Sequence, residues 1–193
     1  MRVLPLFVAL SIFVVPVTVD AQTIGFDDVA DGTTVADRYA SSGVVFSGPG
    51  DGPATFGVFG SPASFRNYLV GEHEGTEDKN DTSEFGNGKP AVEIGFRFVQ
   101  EDAKTPGVTS RVSLVIIYLN RGSRARIRAL DVEGLVLTET VVEGVLGAYA
   151  IPAELSATGI AAVRVTFERD KGFEDNAGID DLSFGPVVAP SAQ

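Results

Sequence analysis

From residue 91 onward the chain alternates apolar and polar positions with a period of two, the spacing of a strand that buries one face. Ala91 to Phe98 places Val92, Ile94, Phe96 and Phe98 on one side. Ala125 to Val132 places Ala125, Ile127 and Ala129 opposite Arg124, Arg126 and Arg128, and Ile160 to Phe167 turns Val163, Val165 and Phe167 inward. Glu133-Gly134 then leads into Leu135 to Val142, which predicts a hairpin. Val112 to Leu119 is a longer apolar run, which predicts a central strand buried on both faces. Ala148 to Ile151 reads as a strand broken by Pro152.

Upstream, Thr23 to Phe26 and Gly43 to Ser47 read as strands, the second ending in the turn cluster Gly48 to Pro53. The stretch from residue 50 to Pro90 is irregular, with short apolar pieces at Ala54 to Phe59 and Tyr68 to Val70 and a polar run from Gly71 to Gly88. Loops of that length usually carry function. The whole reading is about nine to eleven short strands separated by turns, an all-β antiparallel β-sandwich.

Ahead of these strands, Arg2 precedes an apolar stretch from Val3 to Val19, and Val19-Asp20-Ala21 supplies small residues for cleavage. Residues 1–21 are expected to be a signal peptide. The β-sandwich domain is then expected over 22–185 and a disordered Pro/Ala tail over 186–193, with the protein secreted or at the cell surface. Composition agrees with strands, at 22 Gly and 13 Phe. It also narrows the partners. A net charge of −11 argues against nucleic acid and anionic membrane, which attract Lys and Arg. With no cysteine, no disulfide can brace the chain, and a bound metal is a physical alternative.

Two acidic pairs lie at opposite ends of the domain, Asp27-Asp28 after the first strand and Asp180-Asp181 inside the last, Asn176 to Phe184. If the terminal strands lie side by side the carboxylates converge and need neutralising. Calcium takes six to eight oxygen ligands in permissive geometry, so a structural calcium is expected, with Asp27 and Asp180 as first-choice ligands and Asp28 and Asp181 as second. Adjacent aspartates on a strand point to opposite faces, so one of each pair suffices.

The opening Phe26-Asp27-Asp28, the later Tyr39 and Gly43-to-Phe46 strand, and the closing Ile179-Asp180-Asp181-Leu182-Ser183-Phe184 together resemble the secreted bacterial jelly rolls of the galactose-binding-domain-like superfamily. That group includes calcium-containing carbohydrate-binding modules. The resemblance implies a jelly roll and a calcium held by Asp180 with Asp27 opposite. It also implies a carbohydrate or cell-surface partner met on loops or on the concave sheet. The chain is similar, too, to exported proteins that end in a Pro-Glu-Pro sorting signal, although Pro186 to Gln193 carries neither that motif nor an anchor.

Other chemistry is thin. His73, the sole histidine, sits between Glu72 and Glu74 in the polar run, and zinc sites combine several His or Cys, so it reads as a solvated loop residue. No Gly-x-Ser-x-Gly elbow or phosphate-binding loop is present, and no catalytic residue is assigned. Phe56, Phe59, Phe65 and Phe85 read as core, whereas Tyr68 and Tyr149 carry polar tips suited to a sugar ligand. The arginine row 124, 126, 128 reads as a solvated face paired with acids. The sequence thus points to a non-catalytic carbohydrate-binding module. A structural or adhesive matrix protein without a small-molecule ligand is the alternative, and a weak glycoside hydrolase using Glu72, Glu74, Glu77 or Glu84 comes third.

Overall fold

The structure is a computed structural model and describes residues 21–30, 33, 35–47, 57–60, 67–70, 92–119, 121–145, 150–168 and 177–191. Among these residues the chain forms eleven strands and one turn of 3-10 helix, Ala40–Ser42. The strands are β1 (Gln22–Ile24), β2 (Val44–Ser47), β3 (Gly57–Gly60), β4 (Asn67–Val70), β5 (Val92–Phe98) and β6 (Thr109–Ile117). They continue as β7 (Arg124–Leu130), β8 (Val136–Glu143), β9 (Ala150–Ile160), β10 (Ala162–Glu168) and β11 (Gly178–Phe184). Every pairing is antiparallel. None of the described residues forms a helix long and apolar enough to cross a membrane.

The strands divide into two sheets, in the orders β3-β4-β11-β6-β9 and β2-β5-β10-β7-β8. Pairs are nested in sequence: β7 with β8, β6 with β9, β5 with β10 and β4 with β11 share sheets. A long hairpin folded over on itself gives this order, which defines a jelly roll. Strands β2 and β3 extend the two sheets at one end, and β1 joins β11.

The predicted inward faces meet in the middle. Ile94, Phe96 and Phe98 of β5, Ala125, Ile127 and Ala129 of β7, and Val163, Val165 and Phe167 of β10 are all buried. Val112, Leu114, Ile116, Ile179, Leu182 and Phe184 face them from the other sheet. A run of ring contacts links the layers, from Phe26 to Phe46 (5.7 Å), Phe96 (5.6 Å), Phe98 (6.0 Å) and Phe184 (5.1 Å). Such pairs add about 0.5–1.5 kcal/mol each beyond burial.

Three expectations change. Strand β6 is central, but only one face is fully covered: Ser113, Val115 and Ile117 are half-buried, because the sandwich has two layers and each sheet keeps an outer side. Pro152 does not end its strand. It lies inside β9, opposite Val115, where β9 is the edge of its sheet, and an edge strand can omit one N–H. The segment after Pro186, expected to be disordered, is tied back by Val188, whose backbone exchanges two hydrogen bonds with Val108 (2.8 and 2.9 Å). Its composition gives no sign of this, since two backbone bonds and the half-buried Val187 do the anchoring.

Candidate functional site

Strand β11 holds the chain ends together. Along one edge it pairs with β6, and along the other it pairs first with β4, at Gly178 and Ile179, then with β1, at Leu182, Ser183 and Phe184. Asp180-Asp181 falls in the interval between those two partners. The register against β6 also slips there, between Asp180 and Ser183, and Asp181 has φ 45°. The slip is a β-bulge, which re-aims side chains: core-facing residues come at Ile179, then Leu182 and Phe184, so alternation fails across the aspartates. Asp180 is 4% exposed and Asp181 half-buried. The Asp181 N–H donates to Asp180 Oδ1 at 2.8 Å.

The terminal strands therefore do lie side by side, and Asp181 Oδ1 is 3.5 Å from where a Cβ on Gly25 would stand. Beyond Gly25 the chain turns away. The Asp27 N–H donates to the Gly25 carbonyl, the Val29 N–H donates to that of Phe26 at 3.1 Å, and Phe26 takes φ 46°. Phe26 is buried against Tyr39, which fixes the turn. Asp27 is exposed. Asp28 accepts a hydrogen bond from the Tyr39 hydroxyl at 2.6 Å and lies 3.6 Å from the Arg38 guanidinium. Burial, and then this bond, push the Tyr39 phenol well above its ordinary range.

Asp27 and Asp28 line one depression and Asp181 another. One, of about 380 Å³, runs along Thr23 to Asp28 with Tyr39 and Ser42. The other, of about 230 Å³, lies on the outer face of β6 and β9, where Asp181 meets Ser113, Val115, Pro152 and Glu154. Glu154 accepts a hydrogen bond from Arg111 at 2.7 Å, which holds its carboxyl below the usual range. Among the described residues no three His, Cys, Asp or Glu side chains are grouped as a metal would need. Asp180 and Asp181 both sit at the bulge, whereas Asp28 is engaged by Tyr39 and Arg38.

Tyr68 falls in β4, opposite Phe59 of β3. Tyr149, His73, Glu72, Glu74, Glu77 and Glu84 lie outside the described residues. Arg124 and Arg126 bind Glu168, while Arg126 and Arg128 bind Glu139 at 2.6 and 2.7 Å, so this row is an ion-pair grid on the outer face of its sheet. Glu154 is a residue that sequence reasoning passed over: it has no local motif and meets Arg111 only through the pairing of β9 with β6. Tyr39 entered the sequence reading only as part of a resemblance, and its bond to Asp28 forms across the turn that follows β1.

No protein-family model matches the chain, and neither does any curated protein. Among solved structures, the chain is similar to the cleaved K2 adhesin domain of Lys-gingipain, with 11% identity and a TM-score of 0.46 over 86% of this chain and 100% of that one. It is also similar to the enzymatically active domain of tailspike protein 4 of bacteriophage CBA120, with 13% identity and a TM-score of 0.30. That alignment covers 82% of this chain and 21% of the tailspike chain. Likenesses this distant carry no statement about function.

Proposed function

We propose that this chain is an exported, non-catalytic binding module for extracellular or cell-surface carbohydrate, stabilised by a structural calcium at the junction of β1, β4 and β11. The observation that carries the calcium is the burial of Asp180, 4% exposed, at the bulge where β11 changes partner. A carboxylate so placed needs positive charge or N–H donors around it, and one donor is the Asp181 N–H. A calcium ion would supply further neutralisation through Asp180 and Asp181, with Asp27 on the adjoining turn as the third acidic candidate and Asp28 as the fourth.

Carbohydrate is favoured over charged partners by the chain's acidity and by a depression whose lining offers hydroxyl and carboxylate groups, at Thr23, Ser42 and Asp27. Such groups pair with sugar hydroxyls without demanding a charged ligand. Tyr68 and Tyr149 are the further residues we assign to ligand contact. Thermal melting in EDTA and then in added calcium tests the ion: calcium raises the midpoint, and an unchanged midpoint removes calcium from the account. A glycan array tests the ligand. If no glycan is retained at any calcium level, the adhesive or structural alternative replaces this one.

A further inference from the structure

Strand β8 ends its sheet and has few of the devices that normally protect an edge. Lys, Pro and inserted residues discourage strand addition. From Val136 to Glu143 there is no Lys or Pro, and the register slip against β7 is confined to the hairpin end, at Leu137. The edge of the opposite sheet on this side, β9, carries Pro152 and Gly159. Around β8 exposed aliphatic residues, Leu135 at 66%, Val136 at 54% and Val141 at 40%, stand beside the exposed Glu139 and Glu143.

The direction of the free peptide groups follows from the β7–β8 ladder. The Gly144 N–H donates to the Ser123 carbonyl at 2.8 Å, so Arg124 and Glu143 form a non-hydrogen-bonded pair. By alternation, so do Arg126–Val141 and Arg128–Glu139. Glu139, Val141 and Glu143 therefore aim their N–H and C=O groups away from β7, on the side where β9 comes near but forms no ladder with β8.

We propose that this edge is a homodimer interface, in which β8 of one copy adds antiparallel to β8 of a second across a two-fold axis at Thr140. Three central registers match the outward groups. Centring on Glu139 sets Glu139 against itself, and centring on Val141 sets Glu139 against Glu143; like charges directly opposite are unfavourable. Centring on Thr140 sets each Glu139 against Val141 of the second copy and each Glu143 against Leu137 of the second copy, with Thr140 facing Thr140. Every glutamate then lies beside an aliphatic residue. Leu135 and Val145, both exposed, come to the two ends of the seam. A two-fold seam of this kind is self-complementary and closed, and joins the two five-stranded sheets into one. The inference is independent of any carbohydrate or calcium.

The test is sedimentation of the purified protein over a range of concentrations, with two variants. The wild type shows a monomer–dimer equilibrium. Val141→Glu places its carboxylate beside Arg126 of its own chain, which supports the fold, but opposite Glu139 of the second copy twice, and raises the dimer dissociation constant about tenfold. In this cysteine-free chain, Thr140→Cys puts the only two thiols across a non-hydrogen-bonded pair, within disulfide reach. It forms a covalent dimer on mild oxidation much faster than the control Val132→Cys at the hairpin tip. A monomer at every concentration, an unchanged dissociation constant for a folded Val141→Glu, or equal cross-linking of the two cysteine variants would each overturn the proposal.

Discussion

At the scale of single residues, Asp180 and Tyr39 carry opposite lessons about burying a titratable group. Asp180 is held in the sheet as an acceptor, so truncating it strands the Asp181 N–H and reopens the bulge. Asp180→Ala is expected to lower stability by about 1–3 kcal/mol, and Asp180→Asn by less; urea titration with a shared slope measures both. Tyr39 is kept as a neutral phenol by burial and by its bond to Asp28. Its folded pKa lies above the unfolded value of about 10, so the folded state holds the proton longer. The resulting stability is full below about pH 10 and is lost as pH rises through the alkaline range. Tyr39→Phe is expected to cost about 0.5–1.5 kcal/mol at neutral pH and to flatten that alkaline fall. Melting curves from pH 8 to pH 12 would read both effects, and an equally steep fall in the variant would contradict the assignment.

The secondary-structure elements show where alternation informs and where it stops. Strands β5, β7, β10 and the β7–β8 hairpin were legible because each has one dry face, and a period of two reports a dry face directly. The side-by-side placement of the terminal strands was also legible, from their matching Ile/Phe and Asp pattern. The bulge was not. A bulge changes which way Asp180 and Asp181 point without changing which residues are present, so alternation alone does not report that Asp180 is buried while Asp28 is engaged by Tyr39 and Arg38. The anchoring of the last segment was equally hidden, and it yields a packing prediction. A Cβ on Gly107 would stand 2.3 Å from Val187 Cγ1 and 3.2 Å from the Val99 carbonyl carbon. Gly107→Ala should therefore push Val187 out and weaken the Val108–Val188 bonds, costing about 1–3 kcal/mol. Adding Val187→Ala should recover part of that loss, and hydrogen exchange at the Val108 and Val188 amides would report it.

For the molecule as a whole, the outer face of the β7-containing sheet concentrates charge in a way the total of −11 conceals. Arginines bonded to Glu139 and Glu168 hold both carboxyls below their usual range. Groups lowered on folding give stability that is present above the unfolded carboxylate pKa, near 4.3, and is lost as pH falls through the lower folded values. Acid unfolding should thus begin below about pH 4.3, and Arg126→Ala, which touches both glutamates, should move that onset to higher pH.

The nested pairing has a kinetic consequence. Strands β7 and β8 are joined by a short turn, whereas β6–β9, β5–β10 and β4–β11 enclose successively longer stretches of chain. Loop-closure entropy rises with each, and distant pairings form late. The chain should zip from its middle outward, with β1 docking onto β11 among the last events. Pulse-labelling during refolding should find Ile127 and Thr140 amides protected before those of Ile24 and Leu182. The acidic junction at the chain ends is then a latch that shuts on an already formed pair of sheets.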